Sequence, residues 1–192
     1  MDALHALTQA RQEFEQRLAL VQDDQWQNAT PCGDWNVRDL VNHMMLGNRM
    51  TVQLHNGMAT PDVIAGLNDD LVAEAQPNLH AAFASVADDL HAGFAAEGGL
   101  DGTVQHPMGQ IPRLMFAGFR VCDYAVHAWD LARGIGADDT LDADLVQWLW
   151  EDCQPMKDGL AATGMFGEGA SGTLADDAPL QQRYLDTFGR RP

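Results

Sequence analysis

Residues 112–133 read PRLMFAGFRVCDYAVHAWDLAR, and this stretch decides the fold. Met115, Phe119, Cys122, Val126 and Trp129 form one helical stripe, with Leu114, Val121, Ala125, Ala128 and Ala132 beside it. A helix apolar over so wide an arc packs on several sides, as a bundle helix does. The remaining arc carries Arg120, Asp123, His127 and Asp130. The stretch contains no Lys or Glu, the usual residues of a solvated face, so its polar stripe reads as functional. Asp123 and His127 lie four residues apart, stack on one face and can grip one ion together.

Other segments supply partners for this helix. From Asp2 to Gln22, Leu4, Leu7, Phe14, Leu18 and Val21 recur at helical spacing, with Arg11 as the exception. A second helix is predicted from the N-cap Asn36 to His55, with Asp39 near its positive end and Asn56-Gly57 ending it. Pro61 opens a stretch with room for a short helix. A third long helix begins around Pro77, places Leu79, Phe83, Val86, Leu90 and Phe94 on one face, and stops at Gly98-Gly99. Residues 100–110 read as a loop or small hairpin. The helix of residues 112–133 is closed by Gly134-Ile135-Gly136. A fifth, from Asp142 to Leu160, carries Leu145, Trp148 and Leu149 and must kink or break at Pro155. The tail from Gly164 reads as irregular until a last turn near Tyr184. The expectation is an all-α chain: one domain over residues 1–192, a four-helix bundle over roughly 1–136, and a C-terminal helix and tail over 137–192.

The 192 residues include 28 acidic and 11 basic ones, a formal net charge of −17. That surface repels phosphate backbones and anionic lipid heads, so neither nucleic acid nor membrane is an expected partner. No apolar run reaches the ~18 to 20 residues of a membrane span, and the polar opening does not resemble a signal peptide. A cytoplasmic protein is expected. Cys32, Cys122 and Cys153 form no CxxC pair and read as reduced thiols, which leaves histidines and carboxylates to build any metal site.

In the second helix, Leu40, His43, Gly47, Met50 and Leu54 alternate at spacings of three and four, which places His43 toward the bundle interior. By itself His43 fits a core histidine bonded to a carbonyl or carboxylate better than a metal ligand. Set beside Asp123 and His127 it completes a two-imidazole, one-carboxylate set that suits a divalent transition metal and leaves positions open. Zn²⁺ is the first choice, and Ni²⁺, Fe²⁺ or Mn²⁺ would accept the same donors.

These residues also carry a family resemblance. TPCGDWNVRDLVNH (residues 30–43) resembles the N-terminal motif of the mycothiol-dependent maleylpyruvate isomerases and their DinB-like relatives. In that family, Trp-x-Val-x-Asp-Leu-x-x-His opens the second bundle helix and supplies a metal histidine. DYAVHAWDLA (residues 123–132) resembles the second signature, which supplies the other ligands, and DAPLQQRYLDTFGRRP (residues 177–192) resembles C-termini in one branch of these proteins. The resemblance implies a DinB-like bundle, a metal held by His43, Asp123 and His127, and mycothiol or another low-molecular-weight thiol as cosubstrate. It implies thiolate chemistry on a small electrophile, either S-transfer or isomerisation by addition, bond rotation and elimination. Asp123 stands where the isomerases have a glutamate, so its shorter arm is expected to reach the ion by a helix shift or through water. The relatives often pair, which makes a homodimer an expectation. A non-catalytic metal- or ligand-binding bundle and a metal-dependent hydrolase are the alternative readings.

Arg120 and Asp130 flank the ligand pair and read as groups that orient ligands or bind a substrate carboxylate, with a structural Arg–Asp pairing elsewhere as the alternative. Cys32 reads as a half-buried loop residue and His106 as a loop histidine near the bundle mouth. Trp35 and Trp129 read as core packing at helix ends. His5, His55, His80 and His91 are given no role.

Overall fold

The computed structural model describes residues 1–153 and 169–192. Helix α1 spans Ala3–Leu18 and is capped by the Asp2 carboxylate, which accepts from the His5 N–H at 2.8 Å. Helix α2, Val37–His55, opens with a capping box in which Asn36 and Asp39 satisfy each other's backbone N–H groups. Two short helices follow, α3 (Thr60–Ala65) and α4 (Leu71–Glu74), and then the long α5 (Leu79–Ala95). Strands β1 (Thr103–His106) and β2 (Gly109–Pro112) make the hairpin and lead directly into α6, Arg113–Ile135. Gly136 takes a φ of 69° and closes α6 with a left-handed cap. Helices α7 (Ala143–Cys153) and α8 (Leu180–Thr187) complete the described chain. The fold is all-α.

Helices α1, α2, α5 and α6 form the bundle: α1 packs on α6 and α5, and α2 packs on α5 and α6. Phe14, Phe83 and Tyr124 meet in its centre, Phe14 stacking on Phe83 at 5.2 Å between centroids and meeting Tyr124 edge-on at 6.1 Å. Burying side chains of this size contributes about 1.5–3 kcal/mol each. Helix α8 packs on α7, and its Tyr184, Leu185 and the following Phe188 are fully buried, which fixes the end of the chain to the body.

Four differences from the sequence reading have simple causes. Helix α1 ends at Leu18 rather than Gln22, and Val21 follows it in the turn. In α5 the buried stripe passes through Ala87, not Val86, because 3.6-residue geometry drifts along a straight helix. Leu114 and Met115 are exposed, since the first turn of α6 extends past the bundle beside the hairpin. His43 sits at the edge of the α2 stripe with 37% of its side chain exposed, so it faces an opening rather than the interior. The part of the fifth helix expected beyond residue 153, including the break at Pro155, lies outside the described residues. No helix among the described residues is long and apolar enough to cross a membrane.

Candidate metal centre

The two helices that carry the motifs lie against each other, and that contact assembles the site. Asp123 Oδ1 lies 3.4 Å from His43 Nε2 and 3.3 Å from His127 Nε2. The three donors lie within 4.8 Å of one another. Two donors bound to one ion at ~2.05 Å and a tetrahedral angle sit ~3.3 Å apart, and both distances from Asp123 Oδ1 match that spacing. The shorter aspartate arm therefore needs no helix shift to reach both imidazoles.

Each donor is oriented by a neighbour. The ionised Asp130 carboxylate can only accept, so His127 donates its Nδ1–H to Asp130 Oδ2 at 2.9 Å. That bond turns Nε2 toward Asp123, the arrangement seen where a carboxylate backs a metal-ligating histidine. Arg120 donates to Asp123 Oδ2 at 2.6 Å and occupies it, which leaves Oδ1 for the imidazoles. Arg120 is held in turn by Asn48 Oδ1 at 2.9 Å, which also accepts from the Tyr124 hydroxyl at 2.9 Å. Trp35 covers His43 at 4.7 Å between ring centroids and reaches His127 at 6.0 Å.

The polar face of α6 is thus buried: Arg120, His127 and Asp130 are 4%, 6% and 0% exposed. Burial opposes ionisation of Asp123, yet the charge of Arg120, followed by the two histidines, holds its carboxyl well below the usual range. Burial also disfavours a charged His127, but Asp123 and then Asp130 outweigh it and push its pKa up to about 9. A cation held there would have to displace a proton from His127. Burial pushes the Cys32 thiol up to about 11 against the opposing charge of Arg190, which makes it a poor nucleophile at neutral pH.

The structure brings His43, Asp123 and His127 together, with Arg120 on Asp123 and Asp130 on His127. Both also make Arg–Asp pairs elsewhere, Arg120 with Asp123 and Asp130 with Arg190 near the end of the chain. Cys32, His127 and Asp130 form a second close group, which places the half-buried Cys32 behind the site. His106 joins neither group. It is buried on β1, packs on Phe116 and accepts from the Met108 N–H. Trp129 is core, as the sequence suggests, whereas Trp35 belongs to the site. Sequence reading missed Arg190 and Asn48, and the only signal for the first is its place in the C-terminal motif.

Residues 7–132 match the family described as the mycothiol maleylpyruvate isomerase N-terminal domain. The chain belongs to this family. Two uncharacterized Mycobacterium tuberculosis proteins, from strains CDC 1551 / Oshkosh and H37Rv, are each 38% identical over 145 residues, 76% of this chain and 74% of the relative. Crystal structures of the mycothiol-dependent maleylpyruvate isomerase and of a histidine-to-alanine variant superpose with TM-scores of 0.58 and 0.59, at 16% identity. Both cover 82% of this chain, and 71% and 70% of their own chains respectively. At that identity they establish the shared fold.

Gly47 explains how Arg120 lies so close to α2: a Cβ there would meet its Nη1 at 2.5 Å. Helix propensity alone would favour alanine by about 1 kcal/mol. Because Asn48 and Asp123 pin the guanidinium, crowding at about 1–3 kcal/mol outweighs that gain. Gly47→Ala is expected to lower the unfolding temperature by roughly 2–4 °C in thermal melts. A rise in that temperature would show that Arg120 moves aside freely.

Proposed function

We propose that this protein is a metal-dependent enzyme that activates a low-molecular-weight thiol of the mycothiol kind for S-transfer to, or isomerisation of, a small electrophile. The observation that carries this reading is the meeting of His43, Asp123 and His127 from two helices, with Oδ1 of Asp123 3.3–3.4 Å from both imidazole nitrogens. Two nitrogens and one carboxylate oxygen suit Zn²⁺, and Ni²⁺, Fe²⁺ or Mn²⁺ would accept them. Held by His43, Asp123 and His127, such an ion would supply Lewis acidity that favours ionisation of a thiol at neutral pH.

The chain's own residues do the rest. His127 presents Nε2 because Asp130 holds its Nδ1–H, and Asp123 presents Oδ1 because Arg120 holds Oδ2. The exposed edge of His43 marks the side from which a thiol enters, and Trp35 packs against the imidazole ring beside it. With its high pKa, Cys32 is no competing nucleophile, in keeping with a cosubstrate that brings its own sulfur.

The test is to load the protein with Zn²⁺ and follow a panel of small electrophiles, maleylpyruvate among them, with and without mycothiol or another cellular thiol. Thiol-dependent conversion that a chelator abolishes is the expected result. Stoichiometric metal uptake with no conversion would leave a binding bundle, and conversion without thiol would make the protein a metallohydrolase.

A further inference from the structure

We propose that Arg190, in the last three residues of the chain, is a positioning residue of the metal centre, acting through Asp130 on His127. The inference rests on the metal reading above and extends it to a segment outside the stretch that matches the family, which ends at residue 132.

The sequence delivers Arg190 by a short route. Phe188 is fully buried after α8, and Gly189 turns the chain with a φ of 74°. Arg190 then points inward, 6% exposed, and its Nη1 donates to the carbonyl of Phe188 at 2.9 Å. Its Nε donates to Asp130 Oδ1 at 2.9 Å, and its Nη2 to Asp130 Oδ2 at 2.5 Å. The guanidinium thus takes both oxygens of a fully buried carboxylate in the fork geometry that fixes its plane.

That plane matters because Asp130 Oδ2 also accepts from His127 Nδ1. A carboxylate free to rotate would let the imidazole rotate with it, and Nε2 would leave its place opposite Asp123 Oδ1. With Arg190 seated, the ring has one acceptor in one position, and Nε2 keeps its 3.3 Å spacing from Asp123 Oδ1. The centre is therefore complete only when the C-terminal segment is docked. Arg190 touches none of His43, Asp123 or His127 in the hydrogen bonds described, and Asp130 is the group hydrogen-bonded to both Arg190 and His127.

The test uses the full-length protein and Zn²⁺ as the probe. Affinity is measured by competition with a chromogenic chelator, ligand geometry by the visible spectrum of the Co²⁺ form, and folding by circular dichroism. Arg190→Met is expected to weaken Zn²⁺ binding by about 10–100-fold and to shift the Co²⁺ bands while the helical spectrum persists. Arg190→Lys, which keeps the charge but not the fork, is expected to fall between the two and covers the case in which the methionine variant does not fold. Asp130→Asn combined with Arg190→Met should bind no more weakly than Asp130→Asn alone, since both act on one path.

A lower unfolding temperature with unchanged Zn²⁺ affinity in the Arg190 variants would make the residue structural only and overturn the proposal. Additive losses in the double variant would overturn the path through Asp130. Wild-type protein that takes up no Zn²⁺ would overturn the metal reading and this proposal with it, whereas equal Zn²⁺ affinity in wild type and Arg190→Met overturns this proposal alone.

Discussion

Replacing His127 with alanine is expected to weaken Zn²⁺ binding by at least ~1000-fold, about 4 kcal/mol, and to abolish thiol-dependent turnover. Protein sites of this kind bind Zn²⁺ with free energies on the order of 10 kcal/mol, so the loss of one of three donors removes a large share. The loss should be greater than for His43→Ala. His127 is held by Asp130 on one nitrogen and faces Asp123 with the other, whereas His43 has 37% of its side chain exposed and water can take its place. The fold should survive in both variants, because Asp130 keeps Arg190 and Asp123 keeps Arg120. Asp123→Ala is a poorer probe, since it strands the buried Arg120 guanidinium and confounds binding with stability. Elemental analysis and chelator competition on the same preparations check the ranking. Undiminished metal in His127→Ala would mean that any ion is held elsewhere.

The bundle was legible because its helices announce themselves locally. Asn36 with Asp39, Gly136 and the hydrophobic stripe of α6 each encode an element within a few residues. The meeting of His43, Asp123 and His127 was legible for a related reason: a four-residue spacing on a helix with no Lys or Glu places two polar groups on one face, and the motif around His43 supplies the third. What stayed hidden was everything set by contacts distant in sequence. Arg190 meets Asp130 across 60 positions, and Asn48 meets Arg120 across 72. Periodicity places neither pair, because it reports which side of a helix is apolar and not which helix lies opposite. The exposure of His43 was hidden too, since its stripe faces the bundle while its ring lies at the mouth. The same limit explains Trp35, which reads as an apolar residue before a helix and becomes the cover of two imidazoles only once α2 and α6 meet.

Truncating Phe14 to alanine is expected to cost about 3–5 kcal/mol, a large loss of stability from a residue outside the candidate site. Phe14 is fully buried, stacks on Phe83 and meets Tyr124 edge-on, so its removal opens a cavity where α1, α5 and α6 join. These neighbours are anchored and can close the gap only in part. Phe83 is bound into the same core, and Tyr124 is held through its hydroxyl by Asn48. For a chain of this length the unfolding temperature should fall by roughly 6–20 °C. Phe14→Leu, which restores most of the volume, should cost less than about 1.5 kcal/mol. Zn²⁺ affinity of the folded protein tells whether this core merely supports the site or also aims it. Tyr124 and Arg120 share the Asn48 oxygen, and Arg120 fixes Asp123. If Tyr124 stays in place, the alanine variant binds Zn²⁺ nearly as tightly as wild type at temperatures where it is folded. A large fall in affinity together with the fall in stability would show that packing at Phe14 reaches Asp123 through Tyr124, Asn48 and Arg120.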